Sequence, residues 1–314
     1  MSADEHAGRE SEWVVQAFER TRERLAGGWR DHLPWRRGLW VTARPSYRPL
    51  PLPPRFEIME FEVPGGRRRL AFRAGRGRPL LILPGLYAAL DEALFCHLAQ
   101  AASRATRPIA LLEDQLATPT LRISGGRWTS FAEQGQQAQI AARLFSTAPD
   151  VLALSAGGMV ALCAPAGTWN RLVAWSAVVD DGPVRCVRES RILSWHFRRE
   201  HARVFRAAGL HPLAIDDVLH ALFRGAGASA PSCPALFVHA EDDPVAPVGS
   251  VRRRIATPLV TRWGGHLGFG MVAGVGVYLT PYEPPLGQAE LPERKASDRT
   301  WGPGGVCALS GLSR

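Results

Sequence analysis

The sequence predicts an α/β fold: a mainly parallel sheet with helices on both faces and a helical lid. Three observations predict it. From residue 80 onward, short apolar runs alternate with longer helix-compatible stretches, the pattern of βαβ units. One run, Val151-Leu-Ala-Leu154, passes through Ser155 into the small residues Ala156-Gly-Gly158, a strand turning sharply into a helix. Two further runs are followed by an aspartate, Asp243, and then a histidine, His266.

The elements follow in order. Residues 11–26 read as an amphipathic helix, with Trp13, Val14, Ala17 and Leu25 on or near one side, stopped by Gly27 and Gly28. Residues 29–54 are rich in Trp, Arg and Pro and read as an irregular wrap. Two roles suit that wrap: packing onto the core, or a weak peripheral membrane contact through Trp29, Trp35 and Trp40 beside arginines. Residues 55–63 have strand character, and Pro64-Gly-Gly66 turns them onto a partner at 67–73. Further strands are expected near 80–83, 108–112, 151–154, 172–178, 234–239 and 258–263, with helices near 90–104, 130–146 and 157–165. Residues 184–228 interrupt the alternation, with arginines interleaved among Val187, Leu193, Trp195, Phe197, Val204 and Phe205, and read as a helical lid or as helices merely packed on the sheet. The domain expectation is therefore an N-terminal helix and wrap over 1–54, an α/β domain over 55–283 and a poorly ordered Pro- and Gly-rich tail over 284–314.

The chemistry concentrates on the turns that end these strands. A serine on a tight strand-to-helix turn has its hydroxyl pushed out above the sheet, and small neighbours relieve the crowding. The other reading makes Ser155 a helix cap and the glycines a means of close packing. Asp243 precedes a turn with prolines at 244 and 247. Its rival as an orienting acid is Asp242, and its plainer role is to start that turn. His266 lies between glycines that let a loop carry the imidazole over the sheet edge. The chain order Ser155, Asp243, His266 is that of a nucleophile, its orienting acid and its base. Backbone N–H groups for an oxyanion are expected at Ala156 and at Leu86, which follows the turn Pro84-Gly85; an ordinary Pro-Gly turn is the alternative there.

Together, Ser155-Ala-Gly-Gly158, Ala240-Glu-Asp-Asp-Pro244 and Gly264-Gly-His-Leu-Gly-Phe269 resemble the YheT-like esterases of the α/β-hydrolase superfamily, over residues 55–270. The resemblance implies an α/β-hydrolase fold. It also implies a serine carboxylic-ester hydrolase acting on a small-molecule acyl ester, with Ser155 as nucleophile, Asp243 as orienting acid and His266 as general base. Such chemistry needs no metal and no organic cofactor. Ala153 stands where that pattern has its first elbow glycine, and Pro84 where it has a histidine. The same residues also suit a thioesterase, an acyltransferase or a non-catalytic scaffold.

Composition narrows the field. At 314 residues and 46% hydrophobic content the chain can bury a large core. Its apolar runs are too short to span a bilayer, and the polar start Met1-Ser-Ala-Asp-Glu-His6 has no secretory core, so a cytoplasmic location is expected. The five cysteines are scattered without metal-ligand spacing. The net charge of +9 comes without a nucleic-acid-binding motif, so no nucleic-acid partner is expected.

Overall fold

The structure of the protein is a computed structural model that describes residues 55–91, 107–227, 230–256, 258–261 and 266. The expected N-terminal helix and wrap, most of the 90–104 helix and the C-terminal tail lie outside the described residues.

Eight strands form one sheet. The first two, β1 (Glu57–Val63) and β2 (Gly66–Arg73), make an antiparallel hairpin, turned at Gly65 with φ +88. Next come β3 (Leu80–Leu83), β4 (Ile109–Leu112), β5 (Asp150–Leu154), β6 (Arg171–Trp175), β7 (Ala235–Ala240) and β8 (Leu259–Thr261). The spatial order is β1-β2-β4-β3-β5-β6-β7-β8; β2 pairs antiparallel with β4, and every later pairing is parallel. All residues of β3 and β4 are buried, as a strand covered on both faces requires. Alternation sorts them: Leu81, Leu83, Val151, Ala153, Leu172 and Phe237 join one core cluster, while Leu80, Ile82, Leu152, Leu154, Val173 and Val238 join the other.

The helices are α1 (Thr118–Ile123), α2 (Phe131–Ala142), α3 (Ala156–Cys163), α4 (Gly182–Glu189), α5 (Arg191–Ala207), α6 (Ile215–Phe223) and α7 (Val248–Arg254). Ser130 and Glu133 close a capping box at the start of α2. Within α2, Gly135 lets α3 approach: a Cβ there would lie 2.5 Å from the Cys163 carbonyl carbon. Seen in the sequence alone this glycine only weakens a helix; in the fold it is the contact between two helices. The strand expected at 172–178 ends at Trp175 instead, because Ser176 turns to φ +45 and the Val178 N–H bonds the Ser155 carbonyl rather than the next strand.

Between β6 and β7 the chain inserts α4, α5 and α6, a helical stretch that begins at Gly182 rather than 184. The insert is tied down from below. Phe223 of α6 packs edge-on to Phe131 of α2 at 5.0 Å between ring centroids, Phe205 of α5 meets Trp128 at 5.7 Å, and the Thr118 hydroxyl donates to the Val204 carbonyl.

The chain leaves β3 to one side for β4 and later returns on its other side as β5. At that switch point the carboxyl ends of β3 and β5 open a crevice, the general ligand position of open parallel sheets. The β3 end carries the turn at Pro84, and the β5 end carries Ser155.

Candidate active site

Ser155 sits between β5 and α3 with φ +51 and ψ −118, a conformation L-residues rarely adopt. Three hydrogen bonds hold it there: its N–H donates to the Trp175 carbonyl, and its own carbonyl accepts from Val178 and Gly158. The two glycines are required by contact. A Cβ on Gly157 would lie 2.6 Å from the carbonyl oxygens of Leu83 and Pro84, and one on Gly158 would lie 2.5 Å from the Ala177 Cβ. Ala153 is fully buried in β5 and its methyl is part of the core, so this turn forms without a glycine there. The Ser155 side chain makes no capping bond to α3.

Its hydroxyl goes elsewhere. His266 Nε2 lies 2.7 Å from Ser155 Oγ, and His266 Nδ1 lies 3.1 and 3.0 Å from the two carboxylate oxygens of Asp243. Residues that are 111 and 23 positions apart are thus within hydrogen-bond reach of one another. The carboxylate that meets the imidazole is that of Asp243. Its Oδ1 also accepts the Val245 and Ala246 N–H groups, both at 2.9 Å, closing a turn directly after β7. The glycines around His266 lie outside the described residues.

The electrostatics set the tautomer. Burial alone would raise the Asp243 carboxyl; the His266 imidazole, then His239 and the Ala246 N–H, outweigh it and hold the carboxyl below the usual aspartate range. An ionised carboxylate only accepts hydrogen bonds, so the proton of neutral His266 resides on Nδ1. Nε2 then presents a lone pair to the Ser155 hydroxyl.

The turn after β3 lies against the serine: a Cβ on Gly85 would come 3.3 Å from Ser155 Cβ and 3.7 Å from its Oγ. Ala156 opens α3, where a backbone N–H has no intrahelical acceptor. The next residues of the turn are held by two buried carboxylates that the sequence reading did not single out. Tyr87, at φ +65, donates its N–H to Asp114 at 2.6 Å, and Leu90 donates to Glu113 at 3.1 Å. Burial pushes Asp114 up to about 6, against the opposing influence of Arg68 and the backbone donors. The Tyr87 hydroxyl reaches His201 Nδ1 of α5 at 3.2 Å, tying this turn to the inserted helices.

A third missed residue is His239, near the end of β7. Its Nε2 hydrogen-bonds the Ala246 carbonyl and lies 3.6 Å from Asp243 Oδ2. In the sequence it reads as one position of an apolar strand; its spacing of four from Asp243 was the available signal.

Among the described residues no group of His, Cys, Asp or Glu is placed to hold a metal ion, and no helix is long and apolar enough to cross a membrane.

No family model matches the chain, and no curated protein sequence is similar to it. Solved structures are. The structure of 2,6-dihydroxy-pseudo-oxynicotine hydrolase superposes with a TM-score of 0.54 at 15% identity, covering 71% of this chain and 67% of that one. The chain has the α/β-hydrolase fold. An alpha/beta hydrolase fold protein from Nakamurella multipartita matches at TM-score 0.49 and 15% identity over 71% of this chain and 96% of that one. Mouse alpha/beta hydrolase domain-containing protein 10 matches at 0.48 and 12% over 71% and 95%.

Proposed function

We propose that this protein is a serine hydrolase that cleaves carboxylic esters through an acyl-enzyme. The observation that carries the reading is the continuous contact from Ser155 Oγ to His266 Nε2 and from His266 Nδ1 to the Asp243 carboxylate. His266 Nε2 takes the hydroxyl proton as Ser155 Oγ attacks the ester carbonyl carbon. The resulting imidazolium is stabilised by Asp243, which stays ionised. The oxyanion is received by the N–H groups of Ala156 and Leu86. As the tetrahedral centre collapses, His266 returns its proton to the departing alcohol. A water then attacks the acyl-enzyme with the same base and the same donors, releasing the acid and restoring the serine.

The resemblance of the elbow, acid loop and histidine loop to the YheT-like esterases supports an ester as the acyl donor. The inserted helices act as the lid, through α5 and its contact with Tyr87.

The test is labelling of the full chain with a fluorophosphonate, which reacts only with an activated serine. The parent should be labelled at Ser155, and Ser155→Ala should take up no label while keeping its circular dichroism. A folded parent that takes up no label would refute the enzyme reading and favour a scaffold of the same fold.

A further inference from the structure

We infer that His239 is a positioning residue that fixes the Asp243 carboxylate against His266. The inference rests on the proposed role of Asp243.

His239 and Asp243 stand at the two ends of one tight corner, where β7 gives way to the turn leading to α7. Asp243 closes this turn from one side, accepting the N–H groups of Val245 and Ala246 on Oδ1. His239 closes it from the other, donating its Nε2–H to the carbonyl of that same Ala246. One residue, Ala246, is therefore held by both side chains, Asp243 at its N–H and His239 at its carbonyl, and the carboxylate is kept from rotating away from the imidazole. The remaining oxygen, Oδ2, receives His266 Nδ1 at 3.0 Å and faces His239 Nε2 at 3.6 Å. The second distance is too long for a hydrogen bond, so His239 acts on Oδ2 through its N–H dipole.

The corner is dry. His239 is 1% exposed and Asp243 6%, so the polar contacts act in a low local dielectric. Burial keeps His239 neutral, outweighing the attraction of Asp243. A neutral His239 can donate to Ala246 without cancelling the carboxylate charge, which remains available to the imidazolium of His266. Cys186 of α4, whose thiol burial pushes up, also feels the Asp243 carboxylate, and Asp180, which acts on Cys186, is turned toward Arg253.

His239→Asn is the decisive variant, because its amide sits nearer the strand than Nε2 and does not reach the Ala246 carbonyl. His239→Gln restores a donor at the Nε2 position. The readout is the rate of fluorophosphonate labelling of the full chain against pH. His239→Asn should label more slowly by on the order of tenfold to a hundredfold, the loss expected when a catalytic group is misplaced by a fraction of an ångström. Its acidic limb should also move to lower pH, since a less well placed carboxylate stabilises the imidazolium less. His239→Gln should recover most of the rate and the parent's limb. A residue needed only for folding would change melting temperature and leave the limb in place. His239→Asn with the parent's rate and limb overturns the inference. Independently of any variant, NMR of the parent should show His239 neutral, with its proton on Nε2, between about pH 5 and 8; a charged His239 at neutral pH also overturns it. Failure of the enzyme reading looks different: the parent itself takes up no label.

Discussion

Replacing Gly157 by alanine should damage stability and serine reactivity together. The added Cβ would stand 2.6 Å from the carbonyl oxygens of Leu83 and Pro84 and 2.8 Å from the Leu83 carbonyl carbon. All three are backbone atoms, so no side chain can swing aside; either α3 or the turn after β3 must give by most of an ångström. Overpacking of this kind costs about 3 kcal/mol at the upper end, whereas alanine in place of glycine in a helix contributes about 1 kcal/mol of stability. The steric effect wins, leaving a net loss of about 2 kcal/mol and a fall in Tm of roughly 4–8 °C. The same displacement moves Leu86 relative to Ser155, so labelling should slow on the order of a hundredfold. Gly135→Ala is the matched control. Its Cβ would meet backbone atoms of Cys163 and Ala164 at 2.5 to 2.7 Å, at the far end of α3, about 12 Å along the helix from Ser155. It should lower Tm by a similar amount and label at the parent's rate. The assay is thermal melting by circular dichroism beside the fluorophosphonate rate. Gly157→Ala with the parent's Tm and labelling rate, or Gly135→Ala with the reactivity loss of Gly157→Ala, would refute the reasoning.

His266→Ala should abolish turnover of a short p-nitrophenyl ester nearly as fully as Ser155→Ala, because members of such a unit do not contribute additively; Asp243→Asn should fall between these variants and the parent, as steady-state kinetics will show. Asp114 binds its proton up to about pH 6 in the fold, against 3.8 ordinarily, so the stability linked to that proton is fully present below pH 4 and lost as pH rises through 6. Burial raises Glu113 in the same direction, so Asp114→Asn should flatten part, not all, of the decline in Tm between pH 4 and 7, and an unchanged slope would count against the buried-carboxylate account. Tyr87→Phe should cost about 1–2 kcal/mol in urea melts, because it leaves His201 Nδ1 inside the protein without its partner.

Much of this was legible because strands buried on both faces write themselves as uninterrupted apolar runs, as at Leu80–Leu83 and Val151–Leu154. What escaped has physical causes. The six- and seven-residue helices α1 and α7 are too short for a 3.6-residue period to show. The end of β6 is set by the φ of Ser176, and serine does not advertise a positive φ. Asp114 and Glu113 follow an apolar strand as any loop carboxylates might; only the fold reveals that their acceptors serve Tyr87 and Leu90. His239 was hidden by its strand, since alternation assigns it to the same face as Phe237 and says nothing of a carboxylate four residues on.

The two readings of Ser155 in the sequence, a helix cap with glycines for packing and a nucleophile on a tight turn, converge in the structure on one device. The glycines do serve close packing: Gly157 and Gly158 let α3 start against the β3 turn and against Ala177. That closeness is what holds a serine at φ +51, a conformation costing of order 1–3 kcal/mol and stable only where the surroundings over-determine it. A cap would need an extended φ and a side chain turned back to the helix N–H groups; Ser155 has neither, and its hydroxyl instead meets His266 Nε2. Strain at one residue, supported by three backbone hydrogen bonds and two glycine contacts, has no structural benefit that an unstrained loop would lack. It does aim one oxygen at one imidazole. The turn after β3 runs beside that oxygen as well: the Leu83 and Pro84 carbonyls exclude a side chain at Gly157, and a Cβ on the next residue, Gly85, would lie 3.7 Å from Ser155 Oγ. Packing and the proposed chemistry therefore use the same atoms, which is why Gly157 should be far less tolerant of alanine than Ala153 is of being one.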